Sequence, residues 1–170
     1  ISLTIEAFGP YRDSVTLDFN ELQDHSMFLI AGPTGAGETS ILDAMVYALY
    51  GEPSGEVRKT DAIRSDFAEP HRMTRVDFSF AIGDAQYRVE RLPKQMVAKK
   101  RGTGMREQNA SATVYEMKDG EWKVIATSAA AIRDTIQQII GFRKDQFLQV
   151  VLLPQGEFRK LLVASTSERE

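Results

Sequence analysis

The chain of 170 residues has no cysteine and only two histidines, His25 and His71. Without thiols there are no disulfides and no thiolate metal centres. The two histidines stand far apart with no ligand-type residues nearby in sequence, so each reads as an ordinary surface or hydrogen-bonded side chain, not a zinc ligand. No apolar run approaches the ~18 residues of a membrane span, and no signal peptide opens the sequence. No membrane partner is expected, and the expected setting is intracellular. Internal repeats and low-complexity tracts are also missing. The chain opens at Ile1, not methionine, and its charged, helix-prone tail from Arg159 to Glu170 carries no stop signal. A longer natural chain is expected on both counts.

What is present is ordinary for a globular protein: 42% hydrophobic and 26% charged residues, enough for one domain or one lobe with a proper core. The net charge of −3 does not advertise a polyanion partner, but its distribution is uneven. Between Ala85 and Arg106, seven cations (Arg88, Arg91, Lys94, Lys99, Lys100, Arg101 and Arg106) face the single acid Glu90. A basic stretch on an acidic body is the footprint of a polyanion contact; a solvated hairpin and loop is the plainer alternative.

Period-two alternation predicts three hairpins. The first pairs Ser2–Phe8 with Val15–Phe19, the second Val76–Ile82 with Gln86–Arg91, and the third Ala112–Met117 with Trp122–Ala126. Met27–Ala31 reads as a buried parallel strand, and Ile41, Leu42, Met45, Val46 and Leu49 recur at helical spacing up to Gly51. Ser128 is expected to cap a helix that runs to about Ile140 and ends at Gly141. Residues 51 to 70 read as irregular, and Lys94 to Asn109 as a mobile loop.

Between the strand at Met27–Ala31 and the helix lies Gly32-Pro33-Thr34-Gly35-Ala36-Gly37-Glu38-Thr39. A P-loop is Gly, four residues, Gly, Lys, then Ser or Thr, and every position fits except the lysine, which is Glu38. The glycines let backbone N–H groups turn inward onto phosphate oxygens, and the following helix N-terminus adds positive potential. Thr39 is placed to hold Mg2+, and Thr34, Ala36 and Ser40 complete the ATP-binding stretch with Gly32, Gly35 and Gly37. A P-loop lysine reaches the β- and γ-phosphates; Glu38 puts a negative charge there instead. Two unit charges about 4 Å apart interact by roughly 4 kcal/mol at an effective dielectric of 20. Weak or absent ATP binding is therefore expected. A lysine replaced in an otherwise ordinary ATPase is the simpler origin of Glu38.

Three stretches together resemble one family. Gly37–Ala44 followed by Tyr47-Ala48-Leu49-Tyr50-Gly51 is similar to the P-loop helix of the SbcC family, SMC-like ABC-type ATPases of a bacterial nuclease. Leu153-Pro154-Gln155-Gly156-Glu157-Phe158, after an apolar strand, resembles that family's Q-loop, and Leu161 to Arg169 the start of its coiled coil. The resemblance implies an α/β fold with α+β character: the N-terminal lobe of an ATPase head over residues 1–158, with a mixed sheet and antiparallel hairpins around the P-loop helix, and a truncated coiled coil over 159–170. It implies ATP and Mg2+ as cofactors. Gln155 would sense Mg2+ and the γ-phosphate as the catalytic Q-loop residue, and Arg12 would approach the nucleotide. Partners would be the chain's own C-terminal lobe, a second SbcC head, an SbcD-like nuclease and double-stranded DNA, in a cytoplasmic, nucleoid-associated setting. Duplex contact would fall on Arg88, Arg91, Lys94, Lys99, Lys100 and Arg101. Asp43 is better placed for a capping or inter-element hydrogen bond than for catalysis.

The Walker B acid and the signature Ser-Gly-Gly segment are missing, as they would be if both sit in a second lobe. An ABC transporter ATPase is disfavoured because Gln155 lies 117 residues beyond Glu38. A non-cycling DNA-binding or scaffolding module is the alternative if Glu38 is permanent. An AAA-type or GTPase reading is disfavoured by the missing Asn-Lys-x-Asp run.

Overall fold

The computed structural model describes residues 1–22, 30–33, 35–54, 63–99 and 101–150. Alternation decides its first strand. In β1 (Ser2–Phe8), Leu3 and Ile5 are fully buried while Ser2, Thr4 and Glu6 face the other side, as period two requires. The chain turns at Gly9-Pro10 and returns as β2 (Tyr11–Asp18), with Ile5 opposite Val15. Two more hairpins follow: β3 (Arg75–Ile82) with β4 (Ala85–Leu92), and, later in the chain, β7 (Ser111–Lys118) with β8 (Glu121–Ala126). Asp119 and Gly120 both take positive φ (55° and 78°), the pairing that lets a two-residue turn match the strand twist.

All three expected hairpins are present, though β2 begins at Tyr11, where the sequence predicts a turn over residues 9–13 and a strand only from Val15. They join one antiparallel sheet in the order β2-β1-β3-β4-β7-β8. Two helices cover one face. The first, α1 (Glu38–Tyr50), packs on β1, β3 and β4, and α2 (Ala129–Ile140) on β7 and β8. The core follows this division. Leu3, Ile5 and Val76 meet Ala44, Tyr47 and Ala48 of α1, while Val89 and Val114 meet Ile132 and Ile136 of α2. The expected caps are present: Ser128 Oγ accepts from the Ala131 N–H, and the N–H groups of Gly51 and Gly141 close α1 and α2 on Tyr47 and Gln137 carbonyls.

Two expectations are corrected. Lys94 to Asn109 is not an irregular loop but carries a two-stranded hairpin, β5 (Gln95–Ala98) and β6 (Met105–Gln108). Gln95 explains it: its amide accepts from Thr74 N at 2.7 Å and donates to Thr74 O at 3.0 Å, standing in for a strand partner. Val97 is buried beneath, 1% exposed. The apolar segment expected to lead as a strand to Gln155 begins instead as a helix, α3 (Lys144–Val150). Gln146 Oε1 reaches back to accept from Arg143 N, half of a capping box, and Phe147 packs on Tyr50 at 5.6 Å between ring centroids. The strand expected at Met27–Ala31 falls on residues outside those described except for Ile30 and Ala31, which carry no regular structure. Among the described residues no helix is long and apolar enough to cross a membrane.

Candidate phosphate-binding loop

The loop is built by left-handed glycines. Gly35 and Gly37 have φ of 86° and 107°, a region that disfavours side chains, and Ala36 N donates to Pro33 O between them. Gly37 then becomes the N-cap of α1, its carbonyl accepting the first helical hydrogen bond from Ile41 N at 3.1 Å. Space as well as φ demands glycine there. A Cβ on Gly37 would lie 2.8 Å from Pro10 Cγ and 2.9 Å from the Tyr11 hydroxyl.

The β1–β2 turn is therefore pressed directly on the loop, and Tyr11 is the β2 residue that meets it. Its hydroxyl donates to Gly37 O over a long 3.4 Å. Burial raises the Tyr11 phenol pKa, and the negative charge of Glu38 raises it further. Sequence reasoning missed Tyr11; the signal available was an aromatic residue directly after a Gly-Pro turn. The turn is itself held, by Gly9 N to Ile63 O at 2.8 Å and Ser65 N to Ala7 O at 2.9 Å. Arg12, expected near the nucleotide, is exposed and bonds Asp13 at 2.8 Å, which raises its pKa.

Glu38 opens α1, half-buried, with its carboxylate lying back over the loop. A Cβ on Gly32 would stand 2.8 Å from Glu38 Oε1. Thr39 is exposed at the helix start, and Ser40 is buried at 2% exposure. Asp43 is also buried, and its Oδ1 accepts from both Ser54 N and Ser54 Oγ in the turn after α1, a structural hydrogen bond of the kind expected of it. The backbone therefore fits a phosphate, while the side chain at position 38 opposes one. Thr34 and Gln155 lie outside the described residues.

The basic stretch is divided by strand geometry. Arg88 and Arg91 are three apart on β4, so they face opposite sides of the sheet. Arg88 is tied to Asp77 (Nε to Oδ1, 2.8 Å), lies 5.4 Å over the Tyr115 ring, and has a pKa raised chiefly by the Asp77 hydrogen bond. Arg91 points inward, where its Nε donates to Ala48 O at 3.0 Å and its Nη2 to Leu49 O at 3.4 Å. Burial lowers its pKa, and its guanidinium stands 5.9 Å from the Tyr47 ring centroid. Both are engaged within the fold. Lys94 pairs with Glu107 at 3.0 Å, Arg106 bonds Gln108, and Lys99 and Arg101 are exposed at the β5–β6 turn. Lys100 lies outside the described residues.

Comparison with known proteins agrees with this geometry. The family model described as AAA domain matches residues 2–170. This corrects the setting aside of an AAA-type reading, since the Asn-Lys-x-Asp run recognises a base in GTPases and its absence does not bear on AAA domains. The chain is 43% identical over 170 residues to the SbcC subunit of nuclease SbcCD from Vibrio cholerae serotype O1. It is 39% identical over 173 residues to that of Lactococcus lactis and 34% over 170 to that of Staphylococcus aureus. Each match takes in 100% of this chain but only 16–17% of the relative, so the chain spans about a sixth of their length. A glycine loop opening a helix against an antiparallel sheet, with the family model matching nearly every residue, shows that the chain belongs to the AAA domain family and is similar throughout to part of the SbcC subunit of nuclease SbcCD.

Proposed function

We propose that residues 1–158 are the N-terminal, ATP-binding lobe of an ATPase head in an SbcC-like nuclease complex, with a coiled coil beginning at 159–170. The observation that carries this is the glycine loop itself, with Gly37 both left-handed and sterically closed to a side chain at the start of α1. In this reading Gly32, Gly35 and Gly37 wrap the phosphates, Thr39 holds Mg2+, and Gln155 reports the γ-phosphate to the lobe. The second lobe supplies the Walker B acid, a second head closes the ATP sandwich, and an SbcD-like subunit cuts DNA. ATP closure and hydrolysis then control how the nuclease meets a DNA end. Contact with duplex phosphates falls on the β5–β6 hairpin, at Lys94, Lys99 and Arg101, because Arg88 and Arg91 are engaged internally.

Glu38 makes this chain a poor ATP binder. Its carboxylate over Gly32 favours one second reading, a DNA-binding or scaffolding module that never cycles. Calorimetry with Mg-ATP on this chain and on Glu38→Lys tests the first reading, which expects binding by the lysine form only. Equal binding by both would refute the electrostatic argument. DNA binding measured against salt, with and without ATP, separates the readings: a module that never cycles shows no ATP effect even as Glu38→Lys.

A further inference from the structure

The half-buried Glu38 side chain folds back over the loop. Its Oε1 and Cδ lie 2.8 Å and 3.5 Å from where a Gly32 Cβ would stand, and the Ala36 Cβ closes on the same point at 3.0 Å. The first glycine of the loop thus leaves room that the carboxylate uses. The surroundings suit an anion. Glu38 is the first residue of α1, where the helix dipole favours negative charge. Left-handed Gly35 and Gly37 flank Ala36 in the kind of alternation that turns successive N–H groups toward one point.

We propose that Glu38 is the loop's own anionic ligand, occupying the phosphate position and competing with phosphate groups for it. This rests on the reading of the loop as a phosphate site and goes beyond it in naming the cause of weak binding. Repulsion alone is long-range, is screened by salt, and ends once the charge is removed. Occupancy is short-range, insensitive to salt, and persists with an uncharged side chain of the same shape. The Tyr11 phenol agrees with a carboxylate held inward: after burial, Glu38 is the second cause of its raised pKa.

The test titrates Mg-pyrophosphate and Mg-ATP into the full chain as wild type, Glu38→Gln, Glu38→Ala and Glu38→Lys. Glutamine keeps the shape and the accepting oxygen without the charge; alanine removes both. Occupancy expects the alanine form to bind pyrophosphate about fivefold or more tighter than the glutamine form, the worth of about one net hydrogen bond. That order should hold from low to high salt. Equal affinities of the two forms overturn the proposal and leave repulsion; binding by neither while the lysine form binds overturns it too and leaves the missing lysine as the cause. If the lysine form fails to bind Mg-ATP, the phosphate-site reading falls first and the inference with it.

Discussion

Replacing Arg91 with alanine removes the guanidinium bonded to the last carbonyls of α1, at Ala48 and Leu49. A hydrogen bond from a charged donor contributes about 1.5–3 kcal/mol; the 3.0 Å bond to Ala48 O falls in that range, and the 3.4 Å bond to Leu49 O below it. A cation at a helix C-terminus adds roughly 0.3–1 kcal/mol. Stacking on the Tyr47 ring adds about 0.5–1 kcal/mol, and the desolvation of Arg91 offsets part of the total. The expected loss is about 2–3 kcal/mol, or roughly 5–10 °C in Tm for a chain of this size. Urea unfolding followed by far-UV circular dichroism measures it. Arg88→Ala is the internal control, because its pairing with Asp77 lies on the face away from the helices and should cost only about 1 kcal/mol. Arg91→Lys should recover less than half of the loss, since an ammonium cannot bond two successive carbonyls as a fork. If Arg91→Ala costs less than about 0.5 kcal/mol, or no more than Arg88→Ala, the reading of Arg91 as the brace of α1 is wrong.

Gly37→Ala should destabilise by about 2–4 kcal/mol, from the left-handed backbone and the clash with Pro10 and Tyr11. Gly83→Ala meets nothing within 4 Å and should cost only the φ penalty of about 1 kcal/mol, as paired denaturation curves would show. Gln95→Leu leaves the Thr74 N–H and carbonyl unpaired in a buried place. It should cost about 2–3 kcal/mol and speed amide exchange at Thr74, whereas unchanged exchange would deny the glutamine its strand-like role. Burial pushes the Tyr47 pKa up to about 12 from 10.0, so the folded state keeps a proton that the unfolded chain has lost. Its contribution is present below pH 10 and fades as pH rises toward 12, by on the order of 2 kcal/mol. Tyr47→Phe should flatten that alkaline decline relative to wild type, with urea midpoints compared at pH 9 and 11.

The elements legible in the sequence were those whose signals are local and sustained. β3 and β4 alternate over eight residues each around Gly83, and α2 is bracketed by Ser128 and Gly141, so pattern and punctuation agree. β5 and β6 have four residues each, and the alternation is hidden by a glutamine at a buried position. Its bonds to the Thr74 backbone, 21 residues away, are what satisfy Gln95 in the interior. The glycines of the loop were legible because the motif prescribes them. Tyr11 was not, because its contact with Gly37 spans 26 residues and depends on how the hairpin packs. Counting charges also misjudged the basic stretch. The count cannot see that Asp77, more than ten residues from Arg88, neutralises it, or that strand alternation sends Arg91 inward.

The pairing of β1 with β3 has a consequence for how the molecule comes into being. Ser2 stands opposite Ser79, so this one ladder closes a loop of 77 residues, and the whole of α1 lies inside that loop. Such a closure is entropically slow compared with a local hairpin. On a nascent chain, β1 must wait for β3 to be synthesised before the core beneath α1 can form. Gly37 packs against Pro10 and Tyr11 of the β1–β2 turn, so the glycine loop leans on a hairpin whose β1 strand is itself completed by that closure. Mutations that slow this single closure should delay the appearance of the loop while leaving the β7–β8 hairpin, whose contacts are local, to form on its own schedule.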